Sequence, residues 1–262
     1  MQFFDTHAHI GLLYDDPARQ FRAIQEAKMA GVTRIMSINN NLFDFKKEYA
    51  MLKTVKGIYH AVGVSPAEIM TPGKDWVNII EDAITWPNVI AIGETGLDYF
   101  NDKVKNFKHE QIEMFIAHLE LAQKHDVPVI IHNRAAGKDI LEILKDRIPS
   151  RGAIFHCYSE NASFAHDCLE AGLNVYFSFA GNLTYRNARN LHETVLNVPV
   201  DRILIETESP FMIPSIYRER KRTMPAYLSA TANFLAEILD KDKDSLFAQL
   251  WKNSCTIFNL PE

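Results

Sequence analysis

The 262-residue sequence has few cysteines, no long apolar run and no excess of one charge sign. Cys157, Cys168 and Cys255 are widely spaced and form no CxxC pair, so neither a disulfide framework nor a zinc knuckle is indicated. No apolar run approaches the roughly 20 residues of a membrane span. The formal net charge of −5 gives no general attraction to nucleic acid or anionic lipid. We therefore expect a soluble cytoplasmic protein without a membrane partner.

Short β-branched runs alternate along the chain with helix-length amphipathic stretches. Eight such runs lie near Phe3–Thr6, Arg34–Ile38, Ile58–Val64, Val89–Glu94, Val127–Ile131, Ala153–Phe155, Asn174–Ser178 and Arg202–Ile205. This alternation predicts parallel βα units, and eight is the number of strands that closes a TIM (β/α)8 barrel. We therefore predict an α/β fold with a single domain over residues 1–262 and a helical C-terminal extension at 227–258. A doubly wound open sheet is the alternative, because periodicity does not establish closure.

Several histidines follow directly after predicted strands. His7 and His9 alternate along an extended segment, so both imidazoles project on one side. Two neutral ring nitrogens suit zinc or another first-row divalent ion. His132 and His156 each close an apolar strand, and in a parallel barrel such strand ends converge on one face. Most of the six other histidines are predicted to lie on solvated faces.

Two acidic groups occupy equivalent strand-end positions. Glu94 follows an apolar run, and we assign it to bridge two cations, because a carboxylate has one oxygen for each. Glu208 closes the triplet Glu206-Thr207-Glu208 and is assigned to bind one metal or to take a proton from its water. Burying several acids without cations is very costly, so the pattern favours a metal site.

Basic residues supply a second type of group. Arg134 follows the predicted fifth strand, and Arg218 and Arg222 lie in a basic stretch after the eighth. Planar guanidinium groups suit phosphate oxygens. We therefore predict that all three arginines contact a phosphate-bearing substrate.

Six motifs occur in one order along nearly the whole chain. They are the segments 5–9 (DTHAH), 93–99 (GETGLDY), 128–134 (PVIIHNR), 156–159 (HCYS), 204–211 (LIETESPF) and 218–225. Together they resemble the TatD-type metal-dependent deoxyribonucleases, a branch of the amidohydrolase-like barrels.

The resemblance implies a barrel enzyme that uses two divalent ions to hydrolyse DNA phosphodiester bonds, often from the 3′ end. It implies a DNA substrate that is single-stranded or 3′-ended, a monomeric protein, and zinc, magnesium or manganese as the metal. Glu94 and Glu208 are the implied catalytic carboxylates. In the implied ligand sets one ion is held by His7, His9, Glu94 and Glu208, and the other by Glu94, His132 and His156.

The sequence departs from the family pattern at two functional positions. Ser65 stands where the family has a histidine that contacts the substrate phosphate or moves protons, so Ser65 is assigned to the substrate site. Glu208 replaces an aspartate, and its extra methylene moves the carboxylate outward by about 1.5 Å. Two alternatives remain open: a metal hydrolase of a small ester, lactone or amide, and a catalytically weakened member that binds nucleic acid.

Overall fold

A computed structural model describes residues 2–262 and shows one eight-stranded sheet whose strands lie in chain order. The pairs β1–β2, β3–β4, β4–β5, β5–β6 and β7–β8 are parallel. The strands are β1 (Phe3–Ala8), β2 (Val32–Ser37), β3 (Ile58–Val62), β4 (Val89–Asp98), β5 (Val129–Arg134), β6 (Ala153–Phe155), β7 (Val175–Phe179) and β8 (Ile203–Ile205).

The first and last strands also meet. Ala8 pairs in parallel with Ser209, just beyond β8, and the His9 amide donates to the Ser209 carbonyl at 2.8 Å. This contact joins the two ends of the sheet, as in a TIM barrel. The barrel prediction is confirmed, and the open doubly wound sheet is excluded.

Helices connect the strands, and two more follow β8. Their bounds are α1 (Ile10–Leu13), α2 (Pro17–Met29), α3 (Leu42–Leu52), α4 (Trp76–Ala83), α5 (Lys108–His125), α6 (Gly137–Arg147), α7 (Ala162–Glu170), α8 (Arg189–Asn197), α9 (Leu228–Ile238) and α10 (Lys243–Ile257). Side-chain caps fix several starts: Asn41 accepts from the Asp44 amide before α3, and Asp242 from the Ser245 amide before α10. The predicted helical extension thus consists of α9 and α10.

The close approach of strand β5 requires glycine at two positions of β4. A Cβ at Gly96 would lie 2.1 Å from the His132 carbonyl oxygen, and one at Gly93 would lie 2.6 Å from the Ile130 carbonyl oxygen. Both glycines also have φ near +135°, a conformation that L side chains rarely adopt. Glycine therefore lets β4 run close beside β5 along the stretch that carries Glu94.

Backbone contacts divide the chain into two compact units. The first comprises Met1–Ser37, Cys157–His166 and Phe177–Glu262, and the second comprises Ile38–His156 and Asp167–Tyr176. Each buries its own large aromatic side chains: Phe4, Phe177 and Phe179 in the first, and Phe45, Phe115 and Phe155 in the second. The single-domain assignment stays a prediction. Within residues 2–262, no helix has the length and apolar character needed to cross a membrane.

Candidate metal centre

The end of β1 and the segment after β8 bring two histidines and a carboxylate together. His7 Nε2 lies 3.3 Å from His9 Nε2, and Glu208 Oε2 lies 3.2 Å from His7 Nε2 and 3.8 Å from His9 Nε2. All three side chains are buried or nearly so. We call His7, His9 and Glu208 the first cluster. The longer side chain of Glu208 therefore still reaches both histidines.

Asp5 holds the segment that carries Glu208 in place. Its Oδ1 accepts from the Thr207 amide at 2.8 Å, and its Oδ2 accepts from the Thr207 hydroxyl at 2.5 Å. Burial raises the pKa of Asp5 to about 8 despite these hydrogen bonds. The neighbouring Glu206 accepts from the Cys157 amide at 2.8 Å. The buried acids around the first cluster thus fix the backbone at the ends of β1 and β8.

A second group of donor atoms lies in the C-terminal halves of β4 and β5 and directly after β6. Glu94 Oε1 lies 2.8 Å from His132 Nδ1 and 3.4 Å from His156 Nε2, and the two ring nitrogens lie 3.4 Å apart. Glu94 and His156 are buried, and His132 is partly buried. We call Glu94, His132 and His156 the second cluster.

Asp98 supports His132 from the side away from the cluster. His132 Nε2 donates to Asp98 Oδ2 at 3.3 Å, while Asp98 Oδ1 accepts from the amides of Phe100 and Asn101. Burial alone would lower the pKa of His132, but its hydrogen bonds to Asp98 and Glu94 raise that pKa above the ordinary value. A carboxylate behind a histidine is the usual arrangement for orienting a metal ligand.

Sequence reasoning gave Asp98 no role, although a signal for it was present. Glu94 and Asp98 are four residues apart, and side chains at that spacing lie on the same face of a strand. A prediction that β4 continues through Asp98 would have placed both carboxylates beside His132.

The donor atoms of both clusters fit a divalent cation. Tetrahedral ligands at about 2.1 Å from a metal lie about 3.4 Å from one another. The donor atoms are 3.2–3.8 Å apart in the first cluster and 2.8–3.4 Å apart in the second. Imidazole nitrogens together with carboxylate oxygens suit zinc and manganese. Each cluster therefore has both the chemistry and the spacing of a metal site.

Ser65 lies in a rigid loop after β3. It is buried, its amide donates to the Asn40 carbonyl at 2.9 Å, and its hydroxyl accepts from the Ala67 amide at 3.4 Å.

Two of the histidines without a predicted role are buried. The Val64 amide donates to Nε2 of buried His118 at 3.1 Å, and His118 Nδ1 donates to the Met114 carbonyl. His60 is also fully buried. His60 and His118 are therefore the buried exceptions among the six remaining histidines, most of which were predicted to lie on solvated faces.

The three predicted phosphate contacts have different surroundings. The Arg134 guanidinium lies 4.3 Å from the Phe100 ring centroid. Arg218 lines a cavity of about 340 Å³ and is largely exposed. The Arg222 guanidinium donates to the Leu13 carbonyl and lies 4.7 Å from the Tyr14 ring centroid. Arg222 thus supports the loop after β1, and substrate contact by any of the three arginines stays a prediction.

Comparison with known proteins identifies the family. The model of the TatD related DNase family matches residues 4–259. The metal-dependent hydrolase YabD of Bacillus subtilis is 33% identical over 259 residues, which is 98% of this chain and 99% of YabD. The chain belongs to the TatD family of metal-dependent hydrolases. The resemblance inferred from the six motifs is confirmed.

Two other relatives of this TatD family member add information about fold and activity. A protein of Klebsiella pneumoniae named 3′-5′ ssDNA/RNA exonuclease TatD is 31% identical over 250 residues, 90% of each chain. The crystal structure of YJJV, a TatD homolog from Escherichia coli, superposes with a TM-score of 0.90 at 25% identity and covers 99% of this chain and 98% of its own. The barrel and the family are therefore established, while the roles of the individual site residues stay predictions.

Proposed function

We propose that this TatD family member hydrolyses phosphodiester bonds of single-stranded or 3′-ended DNA, removing nucleotides from the 3′ end with two divalent cations. The proposal depends on one observation: two separate histidine–carboxylate clusters each present three donor atoms at metal-ligand spacing. A pair of divalent cations is typical of enzymes that displace an oxygen at phosphorus.

We further propose that the two clusters form one centre with Glu94 as the bridge. His7, Glu94 and His132 lie in the C-terminal halves of β1, β4 and β5, and His9, His156 and Glu208 lie beyond the ends of β1, β6 and β8. The carboxyl ends of the parallel strands of a barrel share one face.

The residues of the proposed centre have different chemical roles. When bound, two divalent cations polarise the phosphoryl oxygens and lower the pKa of a water molecule. Glu208 orients this water and accepts its proton. Arg134 and Arg218 neutralise charge on the phosphate, since guanidinium groups donate to two oxygens at once. The name of the Klebsiella relative, a 3′-5′ exonuclease of single-stranded DNA and RNA, supports the choice of substrate.

The variant Glu94→Ala tests the proposal. Loss of the bridge is expected to remove most of the bound metal and nearly all turnover of a 3′-tailed DNA. The measurement is metal content of the purified protein, followed by hydrolysis with added manganese. Glu142→Ala, an exposed glutamate on α6 paired with Lys145, is the control and is expected to retain both. Two bound metals in the Glu94→Ala protein would refute the bridge.

Ser65 favours a second candidate, a hydrolase of small esters, lactones or amides. Its hydroxyl is occupied as a cap and does not titrate near neutral pH, so it does not replace a histidine that moves protons. Turnover of a panel of small esters compared with 3′-tailed DNA separates the two candidates. A third candidate is a family member that has lost catalytic activity and only binds nucleic acid. This candidate requires that the native protein does not cleave DNA and that the variant Ser65→His or Glu208→Asp gains this activity.

A further inference from the structure

The loops after β7 and β8 enclose two neighbouring cavities, and neither cavity is explained by the metal clusters. One, of about 340 Å³, is lined by Arg186, Arg218 and Ser215. The other, of about 420 Å³, is lined by Ser159 and by the amide side chains of Asn182, Asn187 and Asn190. Tyr185 lines both cavities. We call this pair of cavities the Tyr185 cleft.

The walls of the Tyr185 cleft are fixed by direct contact between the two loops. The Ser215 amide donates to the Thr184 hydroxyl at 2.7 Å, and the Ser215 hydroxyl donates to the Thr184 carbonyl at 2.8 Å. A Cβ at Gly181 would lie 2.0 Å from the Met212 carbonyl oxygen, so the two backbones touch at that glycine. A cleft formed in advance binds its ligand with little cost of ordering the loops.

The two cavities differ in chemistry. The first offers two guanidinium groups, which match phosphate oxygens. Glu219, at 3.5 Å from the Arg218 guanidinium, competes weakly, because both side chains are largely exposed to water. The second offers amide groups, which both donate and accept as base edges require. Within residues 2–262 the buried Asn182 Oδ1 has no hydrogen-bond partner.

We propose that the Tyr185 cleft binds one nucleotide of a single-stranded nucleic acid. Arg186 and Arg218 hold the phosphate, the asparagine amides contact the base edge, and the half-buried Tyr185 ring lies against the nucleotide between them. Met212, which lines the second cavity, is four residues beyond Glu208, and the Phe211 amide donates to the Glu208 carbonyl at 2.7 Å. The segment that carries Glu208 therefore continues directly into the lining of the second cavity. This site rests on the proposed nuclease function and specifies its substrate as an unpaired strand.

The variant Arg186→Gln tests the cleft by binding instead of turnover. The probe is a fluorescent single-stranded oligodeoxynucleotide with hydrolysis-resistant phosphorothioate links. Its binding to the purified protein is measured by fluorescence anisotropy in a buffer that contains calcium, at several salt concentrations. Loss of one phosphate contact is expected to weaken binding about tenfold and to reduce the salt slope by about one. Arg189→Gln changes an exposed arginine on α8 that lines neither cavity, and it is expected to bind like the parent.

A second pair of measurements tests the base-contacting cavity. An oligonucleotide of the same length without bases is expected to bind the parent several-fold more weakly than the normal strand, and Asn187→Ala is expected to remove most of that difference. Far-ultraviolet circular dichroism verifies that each variant is folded. Binding of Arg186→Gln equal to that of Arg189→Gln, or a parent that does not bind the strand, overturns the cleft. A protein that binds through Arg186 but never hydrolyses DNA refutes only the proposed function.

Discussion

At the scale of single residues, His132 shows how the second cluster is held. One ring nitrogen faces Glu94 and the other faces Asp98, so the orientation of the ring is fixed from both sides. In Asp98→Asn the side chain keeps its size but loses the charge that favours this orientation. We expect metal affinity to fall about 10- to 100-fold.

Metal titration of stripped protein measures this effect. Asp102→Asn, an exposed aspartate in the same loop region, is the control and should retain the parent affinity. Unchanged affinity in Asp98→Asn would mean that Glu94 alone orients His132.

Each predicted ligand was recognisable in the sequence by itself, because it is a polar residue that follows a short apolar run. His7, His9, Glu94, His132 and His156 share this pattern. The supporting residues did not stand out in this way, and the one signal for Asp98 was its spacing from Glu94. Asp5 and Asp98 act through neighbours on other strands, and strand pairing is not visible in local sequence. Sequence reasoning therefore identified the proposed metal ligands but not the residues that position these ligands.

At the scale of elements, the contact between β4 and β5 depends on Gly96. A methyl group at this position would lie 2.1 Å from the His132 carbonyl oxygen and would force the strands apart. We expect Gly96→Ala to lower the free energy of unfolding by more than about 2 kcal/mol and to weaken metal binding by displacing His132. Urea denaturation and metal titration measure the two effects.

Gly73→Ala is the matched control for this prediction. Gly73 also has positive φ, yet a Cβ there has no atom within 4 Å. The control therefore includes the backbone strain without the clash. Equal destabilisation in the two variants would show that strain, and not the approach of β5, requires glycine at position 96.

The buried histidine in the aromatic cluster around β3 is expected to make the free energy of unfolding decrease in acid. His60 packs against Phe45 and Tyr49, which in turn stack on Trp86, and burial lowers the pKa of His60 to about 4. The unfolded chain titrates near the ordinary value of about 6.5. As the pH falls from that value toward 4, the unfolded state takes up a proton that the folded state does not, so stability decreases.

His60→Phe removes this proton uptake. Between pH of about 7.5 and 5 the parent is expected to lose about 2 kcal/mol more of its unfolding free energy than the variant. Urea denaturation at the two pH values measures the difference. In His109→Phe, which replaces an exposed histidine on α5, the loss should equal that of the parent. If His60→Phe behaves like His109→Phe, His60 does not stay neutral in the folded protein.

Element types were predictable from the sequence where the periodicity was strong, and their ends were not. The β-branched run that predicts β4 ends near Glu94. The strand continues to Asp98 because Thr95, Gly96 and Asp98 pair with residues of β5. Helix α3 lies between β2 and β3, where the alternation predicts a helix, and Asn41 followed by Asp44 marks its start.

At the scale of the whole molecule, eight recurring βα units were enough to predict the barrel, because few folds accept that pattern. Closure required tertiary information, namely the contact of Ala8 with Ser209. The three residues of the first cluster, His7, His9 and Glu208, lie immediately beside this contact. Residues that close the fold and residues proposed to bind metal are therefore neighbours in the chain.

This proximity predicts that metal binding stabilises the whole fold. Cations that bind only the folded state add about 2.7 kcal/mol of unfolding free energy at a concentration 100 times Kd. Chelation is therefore expected to lower Tm, and manganese or zinc to restore it. Glu94→Ala serves as the internal control, because a protein that has lost most of its metal has no further stability to lose. The same chelator-induced fall of Tm in Glu94→Ala would place the stabilising cation outside the two clusters.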